Sequence, residues 1–226
     1  AGCIVVQAPP GYGKSTYASS LYNELFTGGV PIIRHHYYLS GNDRRGHDRL
    51  EASNAAESLA FDLIARYKAE LGRSAVGNPD SARLGEMLDT ASSHFSSEAH
   101  PLVVMVDGID HVWRERRSIN ELEQLLRSLL PVRTGVTVLL VTQPIPEPQV
   151  PAALRRACPR DKWLDLPLLE LDAVTQWVDN RADTLGLINA SQQEREAFIE
   201  ALFEKAGGNG LLTRYALRAL EEAGTP

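Results

Sequence analysis

Cysteine is scarce: Cys3 and Cys158 are the only two in 226 residues. They stand far apart in the chain and form no C-x-x-C pair, which argues against a disulfide framework or a zinc site. A reducing, cytoplasmic setting fits that usage best. Long apolar runs are missing as well. No stretch approaches the roughly 18 residues of a membrane span, and no charged n-region with an apolar h-region marks a signal peptide. Positive charge is in deficit, since 23 Lys and Arg against 29 Asp and Glu leave a net charge of -6, so no global basic field points to nucleic acid. What remains, 43% hydrophobic and 23% charged residues, is the composition of an ordinary soluble globular protein with a core to bury.

Strand-like apolar runs occur at residues 3 to 7, 31 to 39, 102 to 106, 136 to 142 and, more weakly, 163 to 166. Continuous runs of this kind suit a parallel sheet covered on both faces. Helical patterns alternate with them. Leu21, Tyr22 and Leu25 repeat ahead of Gly28-Gly29, and Asn54 with Glu57 reads as the cap of a helix carrying Leu59, Leu63, Ile64 and Tyr67, which Gly72 ends. Leu84, Met87, Leu88, Ala91 and Phe95 mark another, and Ser118 with Glu121 reads as a capping box ahead of Leu122, Leu125, Leu126, Leu129 and Leu130. The rhythm predicts a doubly wound α/β fold with a parallel five-stranded sheet. After the Pro-rich "TQPIPEPQVP" and one last short strand, everything from about Leu168 reads as helix, with stripes at Val174, Trp177 and Val178, at Phe198, Ile199, Leu202 and Phe203, and at Leu211, Leu212, Tyr215 and Ala219. The expected organisation is therefore a core over residues 1–167 and a helical lid subdomain over 168–226. "SGNDRRGHDRLEASN" at 40 to 54 reads as a mobile loop. The chain begins two residues before its first strand, which reads as a module of a longer protein.

The stretch "QAPPGYGKST" follows the first of these strands. A phosphate-binding loop needs a strand, then a glycine-rich turn whose N–H groups converge on phosphate, then a lysine and a hydroxyl opening a helix. Pro10, Gly11, Tyr12 and Gly13 supply the turn. Lys14 is placed for the β- and γ-phosphates, Ser15 for Mg²⁺ and Thr16 for the α-phosphate. The motif's first glycine is Ala8 here, a position that only ends the strand. "PLVVMVDGID" is a buried strand ending in a carboxylate, so Asp107 is the candidate for the Mg²⁺ hydration shell. Asp110, three residues on, is the candidate to orient or deprotonate water, or else a helix cap. Gln143, at the end of the strand "GVTVLLVTQP", is a candidate γ-phosphate sensor if that strand is inserted beside the first, or a solvated strand end. Arg34, His35 and His36 alternate across a strand and so cannot share one ion; the histidines read as structural. Arg155, Arg156 and Arg160 read as a solvated basic face, or else as the source of a phosphate contact across a subunit boundary.

Four stretches carry a family resemblance covering nearly the whole chain: "APPGYGKST", "VMVDGIDHV", "RHHYYLSGNDRR" followed by "AAESLAFDLIARY", and "GGNGLLTRYALRAL". Together they resemble the STAND class of signal-transduction ATPases, which includes NACHT and apoptotic-ATPase proteins, and most of all the bacterial antiviral (Avs-type) members. The resemblance implies an ASCE-type P-loop NTPase that binds ATP and Mg²⁺, hydrolyses slowly and rests with ADP. It further implies that sensing a target, in the antiviral case a viral protein, drives homo-oligomerisation and activates a fused effector. Effector and sensor domains are expected outside these residues. Two departures stand out. His111 replaces the acidic residue that often follows the second aspartate, and Gly208-Asn209-Gly210 replaces the Gly-x-Pro signature whose proline packs near adenine. A small-molecule P-loop kinase and a non-hydrolysing oligomerisation scaffold remain as competing readings.

Overall fold

The computed structural model describes residues 2–37, 46–75, 81–116 and 119–223. Its elements run β1 (Gly2–Gln7), α1 (Lys14–Thr27), β2 (Ile32–His36), α2 (Gly46–Arg49), α3 (Ala52–Leu71), α4 (Ser81–Phe95), β3 (Leu102–Asp107), α5 (Asp110–Arg116), α6 (Asn120–Leu129), β4 (Val136–Thr142), α7 (Ala152–Ala157), β5 (Leu164–Asp165), α8 (Leu171–Asp179), α9 (Gln192–Ala206) and α10 (Gly210–Ala223). The chain divides into two compact units, one of residues 1–7 and 15–165, the other of residues 8–14 and 166–226.

The first unit is an all-parallel five-stranded sheet in the order β2-β3-β4-β1-β5. Every residue of β3 is buried, so both sheet faces are covered there, as its unbroken apolar run requires. The predicted stripes of α3, α4 and α6 supply much of that cover: Leu59, Leu63, Leu84, Met87, Leu88, Leu122, Leu125, Leu126 and Leu129 all lie in one core with Val104 and Val106. Chain order and spatial order differ because β4 inserts between β1 and β3. Parallel pairing with register Gln7↔Thr142, Asp107↔Val141 and His36↔Asp107 then aligns the carboxyl ends of four strands at one sheet edge.

The cap expected for α3 is not the one the structure uses. The α3 helix starts at Ala52, so Asn54 sits inside it, its amide donating to the Asp48 carbonyl at 2.8 Å. The Ala52 N–H instead donates to the Glu121 carboxylate of α6 at 2.8 Å. A buried helix end needs a partner for its N–H groups, and a neighbouring helix satisfies it as well as a local side chain does. Ser118 and residues 40–45 of the expected loop lie outside the described residues; residues 46–49 are α2. Cys3 and Cys158 are free thiols. They are neighbours in space, and burial, with Cys158 beside it, pushes the Cys3 thiol up to about 12.

His35 is 2% exposed on β2 and packs edge-on against Tyr37 with ring centroids 4.8 Å apart. Burial, reinforced by the Arg49 charge, lowers its pKa to about 4. Its folded value lies below its unfolded value of about 6.5, so its stabilising contribution is complete above pH 6.5 and is lost as pH falls toward 4. Chemical denaturation of wild type and His35→Phe at both pH values checks this. Stability of the variant, measured against wild type, is expected to rise by up to about 3 kcal/mol across that window.

The second unit carries its own core of Val174, Val178, Leu185, Ile199, Leu202 and Leu217, with Trp177, Phe198 and Phe203 packed against it. The stripe expected on α10 is out of phase. Gly210, Thr213 and Leu217 face inward, while Leu211, Leu212 and Tyr215 are 42%, 53% and 59% exposed. Small residues let the helix approach closely, and the Thr213 hydroxyl satisfies itself on the Asn209 carbonyl at 2.9 Å, so a polar residue takes the buried position.

Candidate functional site

Two stretches of the chain carry the candidate chemistry, and each takes its form from local sequence. In the second unit, residues 8–14 leave the end of β1 and lead into α1. Gly11 and Gly13 have φ of 84° and 82°, conformations that a side chain would strain. A Cβ on Gly13 would meet nothing within 4 Å, so the loop is open at that point, as a cradle for a ligand must be. Lys14 folds back over the loop, its Nζ donating to the Pro9 carbonyl at 2.8 Å. Ser15 and Thr16 stand exposed in the first turn of α1.

In the first unit, Asp107 ends β3 and is only 4% exposed. Its Oδ2 lies 3.3 Å from His36 Nδ1, the side chain at the paired position of β2. The sequence reading of His36 as structural is thereby made specific, since the ring lies against the candidate metal carboxylate and fixes its orientation. Nothing in the sequence of β2 alone announces this; it needs the β2–β3 register.

Asp110 opens α5 and is 2% exposed. Oδ1 accepts from the Gln143 N–H at 2.9 Å, and Oδ2 pairs with Arg114 at 3.3 Å. The carboxylate therefore clasps the exits of β3 and β4, which are already joined by Gly108 N–H to the Val141 carbonyl at 2.8 Å. Gln143 is held through its backbone by this clasp, directly after the inserted strand β4. Replacing Asp110 by alanine leaves the Gln143 N–H without its acceptor. A loss of about 1–3 kcal/mol in stability is expected, read by denaturant unfolding. Asp110→Asn keeps an acceptor for the Gln143 N–H and is expected to recover most of that stability in the same measurement. His111 Nδ1 donates to the Glu115 carboxylate at 2.7 Å, on the same helix.

Of the three arginines, Arg155 and Arg156 are solvated as read and Arg160 is not. Arg155 and Arg156 are exposed on α7, while Arg160 donates to the Ile145 carbonyl at 3.0 Å and lies 4.1 Å over the Trp163 ring. Among the described residues, no cluster of three His, Cys, Asp or Glu side chains is arranged to hold a metal ion by itself. Mg²⁺ is a hard ion that takes one or two protein oxygens and completes its shell with phosphates and water, so it would need no such cluster. Ser15 and Asp107 are the groups that would hold it. No helix of the described residues is long and apolar enough to cross a membrane.

A family model described as "AAA domain" matches residues 1–149. No curated protein matches the chain. Among solved structures it is similar to the Orc1 protein of Aeropyrum pernix in complex with DNA, with 15% identity and a TM-score of 0.48, covering 98% of this chain and 54% of that one. It is similar also to a DNA replication initiation factor, with 12% identity and a TM-score of 0.45, covering 96% of this chain and 58% of that one. The chain thus spans little more than half the length of either.

Proposed function

The chain belongs to the AAA domain family, and from that premise we propose that this P-loop NTPase domain is the ATP-driven switch of a STAND-class signalling protein. What supports the reading is that the chain carries two features, each within its own unit: an open loop with two positive-φ glycines ahead of Lys14 and Ser15, and a buried carboxylate, Asp107, at the carboxyl end of β3, the end of a parallel strand where such sheets bind ligands. In this reading the N–H groups of residues 11–16 and the Lys14 ammonium bind the phosphates. Ser15 and Asp107 hold Mg²⁺, which when bound draws charge from the phosphate oxygens. Asp110 positions the attacking water, and Gln143 senses the γ-phosphate.

ADP would be the resting ligand and ATP the trigger of homo-oligomerisation, which couples a sensor domain to an effector. Antiviral defence, with a viral protein as the sensed target, is the setting suggested by the resemblance in "RHHYYLSGNDRR" and "AAESLAFDLIARY". The test is to denature the purified protein and identify the released nucleotide, then to measure its mass in solution with ADP and with a non-hydrolysable ATP analogue. Stoichiometric ADP and assembly only with the analogue are expected. Assembly independent of nucleotide would overturn the switch.

A further inference from the structure

Within the unit of residues 8–14 and 166–226, the first turn of α10 lies directly on the phosphate loop. The Leu211 N–H donates to the Gly11 carbonyl at 2.9 Å. A Cβ on Gly11 would fall 2.7 Å from both Nδ2 and Oδ1 of Asn209 and 3.1 Å from its Cγ, so that carboxamide turns its polar end toward the loop's first glycine. Oδ1 also accepts from the N–H groups of Leu211 and Leu212, both at 3.1 Å, which caps the helix. Asn209 therefore does two things at once: it fixes the start of α10, and it closes the space beside Gly11.

The consequence lies in the Gly11–Tyr12 peptide. A trans peptide is planar, with its C=O and N–H pointing in opposite directions. Holding the Gly11 oxygen toward Leu211 therefore holds the Tyr12 N–H the opposite way, away from α10. Rotating that peptide changes ψ of Gly11 and φ of Tyr12, and Gly11, which has no Cβ, opposes its share of the change least of all residues. We infer that Asn209 is a positioning residue of the nucleotide site, which locks the Gly11–Tyr12 peptide in one orientation from the helical lid and so preorganises the loop's amides for phosphate. The inference rests on the nucleotide-binding reading above. It also gives that reading a physical link, since any rearrangement of α10 releases the Gly11 carbonyl and lowers the loop's affinity for phosphate.

The variants separate positioning from mere folding. Asn209→Asp keeps an N-cap of equal quality but places a negative charge against Gly11, whereas Asn209→Ser keeps a cap and gives up the contact. Asn209→Ala loses both. Affinity for a fluorescent N-methylanthraniloyl ATP and the melting temperature of the nucleotide-free protein are measured for all three, with Lys14→Ala as the reference for lost binding. Asn209→Asp is expected to melt with wild type yet bind at least tenfold more weakly, because a charge close to the phosphates is felt strongly. Asn209→Ser is expected to melt near wild type and bind several-fold more weakly. Affinities within twofold of wild type for Asp and Ser, or affinities that simply follow the melting temperatures, would overturn the role of Asn209 while leaving the nucleotide site intact. Failure of the wild type to bind, indistinguishable from Lys14→Ala, would remove the nucleotide-binding reading itself and this inference with it.

Discussion

Replacing Lys14 by alanine is expected to lower ATP affinity at least a hundredfold and to leave the melting temperature of the nucleotide-free protein unchanged. The first half follows from the chemistry of the contact. A lysine reaching two phosphates makes charge-assisted hydrogen bonds worth about 1.5–3 kcal/mol each, and two of them exceed the ~2.7 kcal/mol that a hundredfold represents. The second half follows from where the side chain lies. Lys14 is half-buried and its Nζ donates to the Pro9 carbonyl of its own loop; Pro9 is itself exposed, so its carbonyl turns to water when the lysine is lost. Titration with a fluorescent nucleotide, beside a thermal melt, reads both halves. Unchanged affinity would mean that the open loop with its two positive-φ glycines is a turn and not a cradle. A large fall in melting temperature would mean that the Pro9 contact is structural, and Lys14→Met, which keeps the aliphatic stem, would then be compared in its place.

How far the sequence carries depends on whether a feature is set locally. Strands β3 and β4 were legible because unbroken apolar runs such as "PLVVMVD" are dictated by burial on both sheet faces, β5 only weakly because its two residues are exposed, and the glycine pattern of 11 and 13 because only glycine occupies those φ values without strain. The helical stripes of α3, α4 and α6 were legible for the same reason, since 3.6-residue periodicity reports which face is buried. Caps were not. Glu121, read as part of its own helix's capping box, supplies the acceptor for Ala52 in another helix, and no rule of local spacing finds a partner 69 residues away. The phase of α10 was missed because its close packing is achieved by Gly210 and Thr213, residues that a hydrophobicity pattern scores as neutral. His36 against Asp107 and Asp110 against Gln143 both cross between strands. Their pairing is decided by the insertion of β4 and the parallel register, so the residues could be nominated one by one but not assembled.

Asp107→Asn carries the second large effect, and it separates charge from shape. Asp107 is 4% exposed at the end of β3, with His36 Nδ1 at 3.3 Å from Oδ2 and its backbone carbonyl accepting from the Tyr37 N–H at 3.0 Å. Asparagine has the same outline, keeps the backbone bond and retains a polar partner for the imidazole, whose tautomer can change to suit it. The fold should therefore melt within a few degrees of wild type. What disappears is the negative charge that a hard cation requires, and a metal-dependent step that draws several kcal/mol from that ion should slow by a hundredfold or more. Binding of nucleotide in the presence of a chelator should be unchanged, because the loop and Lys14 are untouched. Phosphate release and nucleotide affinity, each measured across a Mg²⁺ titration, give the result. The expected signature is a shift of the Mg²⁺ dependence to higher concentration together with the loss in rate. If both curves superimpose on wild type, Asp107 is not the metal carboxylate, and its contact with His36 would then be a strand-end ion pair with no part in the reaction. His36→Asn tells the same story from the other side of the contact. A ring that orients the carboxylate should move the Mg²⁺ curve by a few-fold when removed, in the same direction as Asp107→Asn and by much less.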